Sequence, residues 1–454
     1  MRCTVRGSPL TAHRVFGGHT AGELDRAAGG STVATSGVGM AMYSDDRQAR
    51  SSGASSYAPR GPGDHVAGTV TGVLAGPSGR ATLDLEALLA DARRAPGGCS
   101  VRFLPELERL VESLNSEAAL TTGGAATVAQ RLRTALTRPV QLRMLRSAVP
   151  AIAHIEPAPV FVTGLPGSGA GLLHNLLAEH PAVDAPTLWE LAEPVARAAG
   201  PREFRALIGR GRAEAEAGAR ALHGRPAGLL RAATRPGGCS WLLGNAFQSL
   251  TFALSWRVPG YADRLMDGSM TEAYHFHREQ LQALCHRIPG PAPLLRDPFH
   301  AGHLGNLFEV YPNARVIVVH HDPLRTVTAT AGISHALRGL GSARSDPLET
   351  GREWTDRVER GLTAMEAARR GVPRGRILDV RHADLVGAPK GEVRRVLAFM
   401  GVEQVPVVEG NVAALAARTA RAANRCVPFR PAEFGISRSA LAGRFAFYRE
   451  RYGL

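Results

Sequence analysis

The stretch Val160-Phe161-Val162-Thr163-Gly164-Leu165-Pro166-Gly167-Ser168-Gly169-Ala170-Gly171, running on into Leu172, Leu173, Leu176 and Leu177, decides the fold class. A short apolar run, a glycine-rich turn and leucines at helical spacing read as a buried strand, a tight turn and a helix. That order presents backbone N–H groups and a helix N-terminus to an anion. A nucleoside triphosphatase would need a lysine and a hydroxyl after the last glycine of the turn, and Ala170 and Gly171 stand there instead. The dinucleotide fingerprint fails as well, because Leu172 occupies the place of its third glycine. A strand-to-helix turn that holds no ligand satisfies the glycines equally.

Outward from this turn the pattern repeats. Residues 159–163, Leu294 with Leu295, residues 314–320 and Ile377–Arg381 are short apolar runs separated by helical periodicity, which predicts an α/β fold: a parallel sheet flanked by helices. After the last run, Val393, Val396, Leu397 and Met400 share one helix face, and Leu441, Phe445, Tyr448 and Tyr452 predict one terminal helix. Upstream, Asp84 is placed to cap a helix carrying Leu85, Leu88, Leu89 and Ala92. Leu107, Leu110, Val111 and Leu114 mark a second helix, and residues 127–149 a third. Residues 1–78 are rich in Gly, Ser, Ala and Arg without hydrophobic periodicity. The expected organisation is therefore a disordered low-complexity tail over 1–78, a helical N-terminal region over 79–155 packed on the core, and an α/β domain over 156–454.

With 454 residues, 44% of them hydrophobic, the chain has ample material for a large core. No apolar run approaches the roughly 20 residues of a membrane span. No apolar segment follows Arg2 and Arg6 before Gly17, so a cytoplasmic location is expected. The five cysteines are scattered without a paired motif, which argues against a disulfide framework or a structural zinc site. The net charge of +14 is carried almost wholly by arginine, Lys390 being the only lysine. These arginines are dispersed through helical patterns, which argues against dedicated nucleic-acid binding.

The run from Thr163 to Gly169, then Leu172-Leu173-His174-Asn175-Leu176-Leu177-Ala178-Glu179-His180-Pro181 and Leu188-Trp189-Glu190-Leu191, resembles the bacterial sulfotransferases that use 3′-phosphoadenosine-5′-phosphosulfate (PAPS). The likeness continues through Leu294 to Leu304, Val310-Tyr311-Pro312-Asn313, His320 to Pro323, Asp379 to Leu385, Phe434-Gly435 and Tyr452-Gly453-Leu454, from about residue 80 to the end. It implies a P-loop-like sulfotransferase fold, transfer of a sulfuryl group from PAPS to a hydroxyl or amine of a small molecule, and no metal. The expected partner is an apolar small-molecule acceptor, with a homodimer as the candidate assembly.

Carried over residue by residue, the resemblance places the donor at Gly164, Gly167, Ser168, Gly169, Ala170 and Gly171, and its 3′-phosphate at His321, Thr328, Ala329 and Thr330. Relatives read Pro-Arg-Ser/Thr-Gly-Thr-Thr in the first loop, so the positions of the arginine and both threonines hold Gly167, Ala170 and Gly171. Their Arg-Asp-Pro is His321-Asp322-Pro323, and Ala329 stands at their serine. Their Leu-Lys-Ser-Pro is Leu295-Arg296-Asp297-Pro298. Arg296 keeps the charge, Asp297 adds a negative one, and His300 is the expected general base, with His303 the other family histidine retained.

The donor site thus reads as largely lost. Three outcomes follow: residual sulfuryl transfer; PAPS-independent acid–base chemistry, such as a cyclisation on a natural product, through His300, Asp297, His320 or His321; or a non-catalytic pseudo-sulfotransferase. Trp241, Phe247, Phe252 and Trp256 are candidates for the wall of an acceptor pocket or for plain core.

Overall fold

A computed structural model describes residues 71–76, 79–195, 235–286 and 292–454. The expectation of a disordered tail over residues 1–70 and 77–78 lies outside these. The boundary expected at residue 78 falls inside a hairpin: β1 (Val73–Ala75) pairs antiparallel with β2 (Ala81–Leu83). The helical region after it comprises Leu85–Arg93, Leu104–Glu117 and Thr122–Ala148. Asp84 caps the first of these, its carboxylate accepting from the Ala87 N–H at 3.0 Å.

The α/β core is a four-stranded parallel sheet in the order β4 (Leu294–Arg296), β3 (Val160–Thr163), β5 (Arg315–His320), β6 (Ile377–Arg381). Alternate side chains of each strand enter two separate cores, as the period-2 geometry of a strand requires. Phe161, Leu295, Val316 and Val318 pack on one side with Leu88, Leu107 and Leu132 of the N-terminal helices. Val160, Val162, Leu294, Ile317 and Val319 pack on the other with Leu173, Leu176 and Val396. The sheet is covered on both faces, which is why its strands read as unbroken apolar runs.

The chain leaves β3 toward β4 on one side and leaves β5 toward β6 on the other. The carboxyl ends of β3 and β5 therefore form the switch point at which open α/β sheets bind ligands. The single terminal helix expected from Leu441, Phe445, Tyr448 and Tyr452 is two helices, Arg438–Arg444 and Ala446–Tyr452, because Phe445 leaves helical geometry at φ −112° and ψ 15° and turns the chain.

Candidate active site

The glycine turn joins β3 to the helix Ala170–Leu177. Gly164, Gly167 and Gly169 have φ of +151°, +88° and +97°, conformations that L-residues avoid. Each also lies where no side chain fits: a Cβ would come within 2.6 Å of the Val319 carbonyl at Gly164, 2.7 Å of the Ala329 methyl at Gly167, and 2.7 Å of His382 Nδ1 at Gly169. The Gly167 and Ala329 positions therefore face each other at close range. Ser168 is buried, with its hydroxyl 3.3 Å from the Ala170 N–H. Ala170 is itself buried and Gly171 half-buried in the first turn of the helix.

On the helix Pro323–Arg338, which faces the turn, Thr330 spends its hydroxyl on the Thr326 carbonyl at 2.7 Å. Thr328 is buried with its Oγ1 lacking a partner. The β5–β6 register pairs His320 with Arg381, so the next residues, His321 and His382, emerge side by side. Their rings stack at 4.1 Å, 9° from parallel. His382 Nδ1 donates to the Ser168 carbonyl at 2.9 Å, and His321 Nδ1 accepts from the Asp322 N–H at 2.8 Å. Burial first, and then the neighbouring His382, lowers the His321 pKa to about 4, and burial lowers that of His382. The glycine turn is bordered by two stacked imidazoles whose pKa values burial lowers. His320 points elsewhere: it bonds Tyr448 OH at 2.7 Å and Asp379 at 2.8 Å, and Arg369 clasps the same carboxylate at 2.9 and 2.6 Å.

Arg296 ends β4 in register with Val162. Its Nε is buried without a hydrogen-bond partner, and burial lowers its pKa against the opposing charge of Asp297. Asp297 is buried too, its Oδ1 accepting from the Phe299 N–H at 2.7 Å. Burial raises its pKa against that bond and Arg296.

His300, the expected base, is 1% exposed. Its Nε2 lies 3.1 Å from Cys239 Sγ and its Nδ1 2.7 Å from Tyr274 OH, and burial lowers its pKa to about 3. Both nitrogens are engaged inside the protein, away from the cavity.

That cavity, about 490 Å³, opens on the turn itself. Gly164, Leu165 and Ser168 form one wall, Val318 and Val319 at the end of β5 another, and the helix Pro347–Arg369 the third through Trp354, Arg357 and Val358. The floor is Pro298 to His303, so His303 and not His300 faces the space. Burial lowers the His303 pKa to about 4, while the Asp297 charge opposes that shift. Arg357 is held by Glu353 at 2.8 Å, and Glu353 also binds Arg338 at 2.8 Å.

Of the two roles open to the aromatic run, the structure shows plain core. Phe247 and Phe252 are core, and Trp241 and Trp256 pack against that core; none lines the cavity. Phe299 and Trp354, stacked at 5.6 Å, do. The sequence reading missed His382, Arg357 and Trp354. Only His382 carried a signal, as part of the family-like run from Asp379.

A parallel sheet with a glycine turn feeding a helix at its switch point, and a cavity on that turn, defines a P-loop-like α/β architecture. The sulfotransferase family model matches residues 159–406, more than half of the chain, and the chain belongs to that family. Among solved structures it is similar to sulfotransferase STF1 from Mycobacterium tuberculosis H37Rv, at 23% identity and a TM-score of 0.66, over 81% of this chain and 99% of that one. It is similar also to sulfotransferase STF9 from Mycobacterium avium, at 20% identity and a TM-score of 0.69, over 81% and 96%. No protein of curated function matches the sequence. Among the described residues no helix is long and apolar enough to cross a membrane.

Proposed function

We propose that this chain transfers a sulfuryl group from PAPS to the hydroxyl or amine of a small, largely apolar molecule held in the cavity beside Gly164–Ser168, with a donor grip much weakened relative to its family. The observation that carries this reading is the cavity itself: its apolar walls and one neutral imidazole, His303, meet the phosphate-type turn in a single space.

The donor, when bound, supplies an electrophilic sulfur and a phosphate leaving group. The backbone of Gly167–Gly171, the N-terminus of the helix behind it and the unpartnered Thr328 hydroxyl fit an anion, and Arg296 is the cation at the carboxyl edge of β4. His303 takes the acceptor proton, and Asp297 stabilises the imidazolium that results. Trp354, Phe299 and Val358 exclude water from the acceptor. The two missing guanidinium groups alone, at Gly167 and His321, each worth about 1.5–3 kcal/mol in charge-assisted hydrogen bonding, weaken donor binding by roughly two to four orders of magnitude.

The stacked neutral pair His321 and His382 favours a second reading, in which the cavity performs PAPS-independent acid–base chemistry through His303. Calorimetric titration with 3′-phosphoadenosine-5′-phosphate at low salt separates the two. Saturable binding below millimolar concentration, lost in Arg296→Ala, supports sulfuryl transfer. No heat up to millimolar concentration ends the donor-dependent reading and leaves donor-free chemistry or a non-catalytic role, which small-molecule binding in the cavity then distinguishes.

A further inference from the structure

Below the cavity floor, three side chains that no sequence motif joins meet in the core. Cys239 precedes the helix Ser240–Gly244, His277 lies in Thr271–Cys285, and His300 opens the turn that ends at His303. All three are buried, and a ligand-type atom from each lies within 4.8 Å of the other two.

The hydrogen bonds around them are those of metal-ligating imidazoles. Each ring has its Nδ1 committed to a tyrosine hydroxyl: His300 to Tyr274 and His277 to Tyr311, both at 2.7 Å. A tyrosine hydroxyl can accept from Nδ1–H and so orient the ring, and in that tautomer Nε2 is the atom free to ligate. Here His300 Nε2 is 3.1 Å from Cys239 Sγ. His277 Nε2 is fully buried and has no hydrogen-bond partner. A hydrogen-bonded core explains the first nitrogen but not the second, because an orphaned polar atom at zero exposure costs about 1–3 kcal/mol.

We propose that Cys239, His277 and His300 bind a thiophilic transition-metal ion, zinc(II) in the first instance, as a structural site that ties two acceptor-side helices to the cavity floor. One thiolate and two neutral imidazoles form a ligand set that zinc prefers over magnesium or calcium. On binding, the Cys239 S–H bond breaks, its proton leaves to solvent and the sulfur lone pair enters the metal–sulfur bond; no oxidant or reductant is involved. With Zn–S near 2.3 Å and Zn–N near 2.0 Å, tetrahedral ligand atoms stand about 3.3–3.6 Å apart, so the widest pair closes by at most roughly 1.5 Å and the Cys239–His300 pair opens by about 0.4 Å. The group has three members among the described residues, which leaves one position for water. Because the site is enclosed, the ion loads as the chain folds.

The test uses the full chain, purified without added chelator and also refolded from denaturant with zinc(II) or cobalt(II). The expected results are about one equivalent of zinc per chain, a thiolate-to-cobalt charge-transfer absorption, and a higher Tm after refolding with metal than without it. Cys239→Ser abolishes the absorption. Tyr311→Phe, which leaves every ligand in place, weakens metal affinity about 10–100-fold. Should Cys239→Ser fail to fold, zinc-edge X-ray absorption on the native protein reads the ligands directly and is expected to find one sulfur and two imidazole nitrogens. Metal-free protein whose refolding and Tm ignore both ions overturns the proposal, and so does bound zinc with no sulfur ligand.

Discussion

Replacing Gly167 by alanine probes whether the glycine turn has exchanged side-chain chemistry for close packing. At φ +88° an L-residue pays about 1–2 kcal/mol. The new methyl would sit 2.7 Å from the Ala329 methyl, an overpacking that costs about 1–3 kcal/mol. Gly167→Ala should therefore lose roughly 2–5 kcal/mol of stability. Ala329→Gly alone should lose about 1 kcal/mol, as glycine does in a helix interior. In the double variant the methyl clash is gone and only the backbone cost of each residue remains. The cycle should then show a favourable coupling of about 1–3 kcal/mol, read from denaturant unfolding of the four proteins. A Gly167→Ala protein as stable as its parent, or a coupling below about 0.5 kcal/mol, would refute the argument. The same geometry predicts that Gly167→Arg alone does not restore donor affinity, because the added side chain starts from the blocked Cβ position.

Further outcomes follow from the same contacts. His303→Asn should lower kcat about 10²–10⁴-fold with KM little changed, whereas a comparable fall in an Ala301→Ser control would point to general disruption of the floor. Since burial holds the His303 pKa near 4, the neutral form persists at higher pH: activity should be flat from about pH 6 to 8 and fall as pH drops toward 4. Glu353→Gln leaves Arg338 and Arg357 buried without their counter-charge and should cost about 3–5 kcal/mol, measured by thermal unfolding. Burial pushes the Asp379 pKa up, but hydrogen bonds from His320 and Arg369 outweigh it and hold the carboxyl at about 2. The folded value lies below the unfolded one of about 3.9, so this stabilisation is complete above about pH 4 and is lost as pH falls through 2. Asp379→Asn should accordingly be less stable than its parent at pH 6, with the gap closing toward pH 2; a gap constant over that range contradicts the assignment.

The sequence by itself determined the strand–turn–helix at Val160–Leu177, because glycine punctuation and apolar runs are local and a two-sided parallel sheet leaves its strands apolar on both faces. It also carried the likeness to sulfotransferases and the absence of the arginine and threonines from the first loop, since these are matters of residue identity at counted positions. Only the tertiary structure decided which histidine faces the cavity. His300 and His303 stand three residues apart in one short turn, and the helix Thr271–Cys285 packs over the first while the cavity opens on the second. His321 and His382 are strangers in sequence and stack because the β5–β6 register brings their strand ends together. Gly167 and Ala329 are likewise two unrelated small residues until the helix Pro323–Arg338 lies against the turn. Cys239, His277 and His300 share no spacing that a motif could encode; their meeting depends on long-range packing, which residue order constrains only through the whole core.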